Sequence, residues 1–385
     1  LAQSPRGVMV IDLFGLSADE VRERFPAVYQ WVLERVKPER DQNNRATYRD
    51  NWWLFGEPRR DWRAVATGLP RYIATVETTK HRIFQFLDAS ILPDNKLVNI
   101  ASDSAVLLGV LTSRLHVAWS FSTGSRLGVG NDPVYVKTTC FETFPFPDPT
   151  PEQRAAIRQL AERIDGHRKR QQAEHPTLTM TGMYNVLEKL RAGEALSDKE
   201  KLVHAQGLVS VLGELHDELD CAVFAAYGWD DLAATLVGLP GATTPLADKP
   251  EAQAEAEEQL LGRLVVLNAE RAAEEARGKI LWLRPAYQNP NATDVPQHAE
   301  TEQSELGTSD ASPLAKQKKA AWPKGMRQQI AAIRNTLGNQ ALTLPALVAH
   351  FNAPKSTTPL IVDALGAMQD LGMVGQENQH YRLIG

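Results

Sequence analysis

Two cysteines in 385 residues, Cys140 and Cys221, are too few for a disulfide framework or a cysteine-built metal site, and they fit a reducing, cytoplasmic setting. No apolar run approaches the roughly 18 residues that a bilayer crossing needs, so no membrane partner is expected. Leu1 to Asp12 lacks the charged segment, apolar segment and small-residue cleavage site of a secretion signal. Catalytic signatures are missing as well. No G-x-x-x-x-G-K-[ST] loop occurs, and the glycines from Gly124 to Gly130 precede a predicted strand, whereas a phosphate-cradling turn follows a strand and opens a helix. The histidines are scattered, and His204 and His216 have no Cys or carboxylate set that completes a metal site. Asp94 is not followed by Glu-x-Lys, which removes the usual carboxylate nuclease centre.

What is present is an uneven charge. The whole chain is −5, yet eleven Lys and Arg stand against seven Asp and Glu between Glu34 and Arg82, a net of +4 that leaves −9 for the remainder. The same stretch holds Trp52 and Trp53 and is interleaved with Tyr, Asn and Gln. That composition suits a surface that neutralises phosphates and reads or stacks bases. It suits equally a Trp-rich core with a solvated basic rim.

Periodicity divides the chain. The apolar run Val8–Phe14 reads as a short strand, and Ser17 with Glu20 caps a helix over about 18–25, followed by a second helix over 27–37. Residues 41–50 are a loop or a short helix. Short β runs are predicted at 71–75, 83–87 and 97–101, then one helix over 104–120 capped by Asp103. A Gly-, Ser- and Asn-rich loop follows over 122–133, and a strand over 134–141 leads into Thr143-Phe144-Pro145-Phe146-Pro147. Beyond it the pattern is helical: 152–172, opened by Thr150-Pro151, then 181–192, 197–227 and 251–277. Residues 289–320 have almost no large apolar side chain and read as a disordered linker. Three helices at 324–337, 343–351 and 357–371 and a β pair across 373–384 give a winged-helix-like layout, with Lys355, Ser356, Thr357 and Thr358 opening its third helix.

The fold class is therefore α+β: a mixed α/β domain over 1–148, a mainly helical domain over 149–288, the linker over 289–320, and a winged-helix-like domain over 321–385. The sequence begins with Leu1, which suggests a piece of a longer protein.

Several strings resemble one family in order. Val36-Lys37-Pro38-Glu39-Arg40-Asp41, Asn43-Asn44-Arg45, Trp52-Trp53-Leu54-Phe55-Gly56-Glu57-Pro58-Arg59, Leu69-Pro70-Arg71-Tyr72-Ile73-Ala74 and Phe144-Pro145-Phe146-Pro147 look like the target-recognition region of adenine-specific DNA methyltransferases of the MmeI-like restriction-modification group. Tyr184–Arg191, Glu214–Asp220, Tyr227-Gly228-Trp229 and Leu267-Asn268 resemble the helical region that follows it. The resemblance implies double-stranded DNA as partner, and S-adenosylmethionine bound in a catalytic domain that this sequence lacks, upstream or on a separate subunit. No cofactor is expected in this chain itself, because Asn289-Pro290-Asn291 is not the adenine-gripping loop of that family. DNA contacts are expected from Arg35, Lys37, Arg40, Asn43, Asn44, Arg45, Arg49, Arg59, Arg71, Gly128, Gly130, Asn131 and Lys137. The rival reading is a non-enzymatic docking subunit.

Overall fold

The structure is a computed structural model and describes residues 7–127, 132–245, 248–281 and 284, and in the C-terminal part 322, 329, 332–333, 336–337, 342–351, 358–370, 374–377 and 380–383. It is helix-rich with small antiparallel sheets, a mixed α+β chain. Two compact units separate between Gln297 and His298.

The first unit opens with α1 (Ala18–Arg24), where the Ser17 hydroxyl accepts from the Glu20 N–H and the Glu20 carboxylate accepts from the Ser17 N–H. Pro26 starts α2 (Pro26–Arg35), and α3 (Lys37–Asp41), α4 (Ala46–Asp50) and α5 (Arg60–Ala66) follow. Val21, Val32 and Trp52 form a small core with Leu13. The Trp53 indole N–H donates to the Leu16 carbonyl at 2.8 Å, so both tryptophans are structural. Trp53→Phe is expected to lower stability by about 1–3 kcal/mol, measured by chemical unfolding, because it removes that hydrogen bond and part of the ring packed against the core.

Val8 to Leu13 is not a strand. It joins no sheet among the described residues, and Val8, Met9, Val10 and Ile11 are exposed. The three central β runs are real: β1 (Arg71–Val76) lies between β2 (Gln85–Asp88) and β3 (Leu97–Ile100), antiparallel to both, with Ile73 opposite Phe86 on one side and Ile100 on the other.

The single helix predicted over 104–120 is two, α6 (Ala105–Thr112) and α7 (Arg114–Thr123), bent by 62°. Ser104, not Asp103, caps the first, and Ser113 takes an extended conformation between them. The break is satisfied from afar: the buried Asp220 carboxylate accepts the Arg114 N–H at 2.7 Å, an N-cap supplied by another helix. The predicted loop over 122–133 contains a ribbon, β4 (Ser125–Leu127) against β5 (Asp132–Val134). The predicted strand over 134–141 gives way at Lys137–Phe141 to one turn of π-helix, a geometry that concentrates at functional positions.

α8 (Pro151–Glu174) is capped reciprocally by Thr150 and Gln153. α9 (Met180–Arg191), α10 (Asp198–Gly207), α11 (Val209–Tyr227), α12 (Asp230–Leu236) and α13 (Glu251–Ala276) complete the unit. The helix predicted over 197–227 is thus broken, at Leu208, whose φ of 44° is left-handed. One apolar cluster runs from Ile83, Val106 and Leu115 to Leu212, Phe224 and Leu264, joining the sheet-bearing part to the helices. Among the described residues no single helix is long and apolar enough to cross a membrane, and α6 is buried along its whole length.

The second unit has helical residues at 329, 332–333 and 336–337, then α14 (Leu344–Ala349) and α15 (Thr358–Asp370). β6 (Leu342–Thr343), β7 (Val374–Glu377) and β8 (His380–Leu383) form a sheet in the order β6-β8-β7. Ile333, Leu347, Phe351, Ile361 and Met368 make its core. Gly375 pairs with Arg382 inside the sheet, and Lys355, Ser356, Thr357 and the linker lie outside the described residues.

Candidate nucleic-acid interface

The basic stretch is built on the tryptophan core of α1–α4. Tyr48 is its centre: the Arg40 guanidinium lies 4.8 Å and that of Arg45 5.5 Å from its ring centroid. Gly56 packs against the same ring so closely that a Cβ there would fall 2.3 Å from Tyr48 Cε1, which explains a glycine in the Trp-Trp-Leu-Phe-Gly string. Asn43 turns the chain, its Oδ1 accepting the Arg45 N–H at 2.9 Å, and Arg49 Nη1 donates to the Asn43 carbonyl at 2.8 Å. Arg35, Asn44 and Arg45 are exposed, while Arg40, Asn43 and Arg49 are half-buried. The structure therefore gathers Arg40, Asn43, Arg45 and Arg49 into one patch.

Other expected contacts have partners within the fold. Lys37 pairs with Asp41 at 2.6 Å, and exposed Arg59 pairs with Glu57 at 2.7 Å. Arg71 faces inward: it binds Glu162 on α8 through both terminal nitrogens and lies 3.6 Å from the Phe86 ring centroid. Its charge is thus held by a carboxylate of the same chain, where the sequence suggests a DNA contact. Lys137 is exposed at the start of the π-helix. Gly128, Gly130 and Asn131 lie outside the described residues.

The sequence reading missed the ribbon and what supports it. All of β4 is exposed, with Leu127 63% exposed at its end. At the base, a Cβ on Gly124 would sit 2.5 Å from the Val134 carbonyl oxygen, so only glycine admits the pairing there. Arg82 is buried beneath it, over the Tyr135 ring at 4.9 Å, and donates to the carbonyls of Val76, Glu77 and Pro133. Burial lowers its guanidinium to about 10, still charged at neutral pH. No local sequence signal marks this role, because its acceptors are backbone carbonyls, one of them 51 residues away.

His116 meets the Tyr135 hydroxyl at 2.8 Å, and His216 meets that of Tyr184 at 2.7 Å. Burial, then the Arg82 charge, holds His116 down to about 3, and burial with nearby cations holds His216 well below 6.5. An unfolded chain takes up these protons below pH 6.5 and the folded one does not. Their contribution is complete above that pH, and each costs about 1.4 kcal/mol of stability per pH unit as the pH falls toward its folded value. Thermal unfolding between pH 7 and 4 checks this, and His116→Gln is expected to shallow the decline.

Comparison with known proteins bears on the first part. Residues 16–148 match the family model described as MmeI, target recognition domain. The match covers about a third of the chain. The patch around Tyr48, the three-stranded sheet and the β4–β5 ribbon all fall inside it. No curated protein matches the chain. A solved structure of the Type IIL restriction-modification enzyme MmeI in complex with DNA is similar at 19% identity, with a TM-score of 0.44, over 68% of this chain. The chain spans 28% of the length of that protein.

Proposed function

We propose that the target recognition domain binds double-stranded DNA and selects the site for an N6-adenine methyltransferase of a restriction-modification or related phage-defence system in the cytoplasm. The family match of residues 16–148 carries this reading. The geometry supports it in two places. Arg40, Arg45 and Arg49, with Arg35, present cations to phosphates around a fixed Tyr48, and Asn43 and Asn44 supply hydrogen-bonding groups beside them. The β4–β5 ribbon is a two-stranded element of the kind that the major groove admits, Lys137 follows it, and Gly128, Gly130 and Asn131 of the intervening sequence remain expected contacts.

S-adenosylmethionine would supply the methyl group in a catalytic domain or subunit outside this sequence. The described residues do not fit that cofactor: their sheets pair antiparallel, and no strand passes through a glycine turn into a helix. No step of the transfer is assigned to this chain.

For the C-terminal unit we propose a winged-helix-like module that docks protein. The observation favouring protein over DNA is α15, which carries no Lys or Arg and exposes Leu360 and Val362.

Fluorescence anisotropy with random duplex DNA across a salt series tests the recognition reading, since affinity for phosphates falls steeply with salt and an apolar contact does not. Leu127→Ser is expected to weaken DNA binding about fivefold, equivalent to roughly 1 kcal/mol of apolar burial, with an unchanged melting temperature because the side chain is exposed. Equal affinity for both proteins would remove the ribbon from the interface.

A further inference from the structure

A cavity of about 70 Å³ lies where α6, α9 and α11 meet the turn at Gly241–Thr243, with Arg82, Thr112, Arg114, Glu188, Arg191 and Asp220 in its wall. That volume suits about two water-sized atoms. Arg82, Thr112, Arg114 and Asp220 are each 8% exposed or less.

The carboxylates of the wall are engaged. Asp220 accepts the Arg114 N–H at 2.7 Å, and Glu188 accepts the Gly241 N–H at 2.8 Å and the Thr243 hydroxyl at 3.2 Å. The cationic side is under-satisfied: the Nε–H groups of Arg82, Arg114 and Arg191 and the Thr112 hydroxyl have no hydrogen-bond partner among the described residues, Arg114 Nε coming no nearer than 3.9 Å to the Asp220 carboxylate. Each can donate, and a buried donor left without an acceptor costs its full desolvation. The charges point the same way. Three guanidiniums face two carboxylates in the wall. Lys80, Arg168 and Lys249 behind them outnumber Asp217 and Glu257, so the surroundings are two charges positive, and the Lys169–Asp165 pair beyond cancels. His81 and His216, also in the wall, stay neutral through burial.

We propose that this cavity binds a small monovalent anion of chloride size, held by the N–H groups of Arg114 and Arg191 and the hydroxyl of Thr112. Water would satisfy the donors but leave the excess charge uncompensated. Arg82 reaches from this wall to the Pro133 carbonyl under the β4–β5 ribbon, so the ion would steady the ribbon from below. The inference concerns the helical side of the fold and is independent of the DNA reading.

The test uses the full chain in sodium glutamate, with chloride substituted at constant ionic strength, followed by thermal unfolding. The melting temperature is expected to rise with chloride and saturate, as for any ligand of the folded state alone. Thr112→Val, which keeps the side-chain shape, is expected to raise the chloride midpoint about three- to tenfold, one hydrogen bond's worth. Crystals soaked in bromide are expected to show an anomalous peak in the cavity. A melting temperature indifferent to chloride, an unshifted midpoint in the valine variant, or bromide only at other places would each overturn the proposal.

Discussion

Replacing Arg40, Arg45 and Arg49 together by Ala is expected to weaken binding to random duplex DNA at moderate salt and to reduce the slope of log affinity against log salt by about three, close to one for each phosphate that the variant no longer neutralises. The three side chains are unlike four other basic groups of the stretch. Lys37, Arg59, Arg63 and Arg71 each lie within 2.9 Å of a carboxylate of the same chain, so part of their charge is already compensated. Arg40 and Arg45 instead flank Tyr48, and Arg49 spends one N–H on the Asn43 carbonyl. Cations over a half-buried aromatic ring and one hydrogen bond are together worth about 1–2 kcal/mol, so the variant should melt only slightly below the parent. A shallower slope with a nearly unchanged melt locates the DNA face on this patch. If the slope is untouched while binding persists, the DNA face lies elsewhere, with the ribbon and Lys137 as the next candidates. If the parent does not bind duplex even at low salt, recognition by this chain alone is wrong and the docking reading gains.

Features fixed by neighbours in sequence were legible and features fixed by distant partners were not. Ser17 with Glu20 and Thr150 before Pro151 mark helix starts because cap and capped N–H lie three residues apart. The strands at 71–76 and 97–100 follow from β-branched and aromatic residues between turn-formers. The break at Ser113 could not be read, since an unbroken apolar pattern crosses it and the group that caps the second helix is Asp220, 106 residues on. Arg71 illustrates the same limit for function. Its place in a basic, aromatic string suggests a phosphate contact, but Glu162, 91 residues away, decides its direction. Among the cations of the basic stretch, sequence supplies the charge, and only the fold tells which ones a carboxylate already holds.

A chain ending at Asp148 is expected not to fold alone, whereas one ending after Lys279 should melt cooperatively. The family match stops at 148, but the packing does not. Ile83, Val106, Val110, Leu115, Trp119 and Phe144 are buried in a cluster completed by Ile157, Leu187, Leu212 and Leu264. Gly109 approaches α8 so closely that a Cβ would be 2.6 Å from Ile157 Cγ2. Polar ties cross the same seam: Arg168, 1% exposed, donates to the Phe84 carbonyl and the Tyr184 hydroxyl, both at 3.0 Å, and Tyr227 donates to the Pro145 carbonyl at 2.8 Å. Uncovering six large apolar side chains at about 1.5–3 kcal/mol each removes roughly 10 kcal/mol or more, comparable to the whole stability of an ordinary domain. Arg168→Met probes the seam in the intact chain: it takes a donor from the buried Phe84 carbonyl and one of the two hydrogen bonds from the Tyr184 hydroxyl, which keeps His216, and should cost about 2–4 kcal/mol, read as a lower denaturation midpoint at unchanged m-value. A cooperative melt from the 1–148 fragment, or an Arg168→Met variant as stable as the parent, would mean that the helices are merely appended. The opposite result makes α8 and α11 part of the recognition domain in energetic terms, because α6 and α7, which back the sheet, bury Val106, Val110, Leu115 and Trp119 in the cluster that those helices complete.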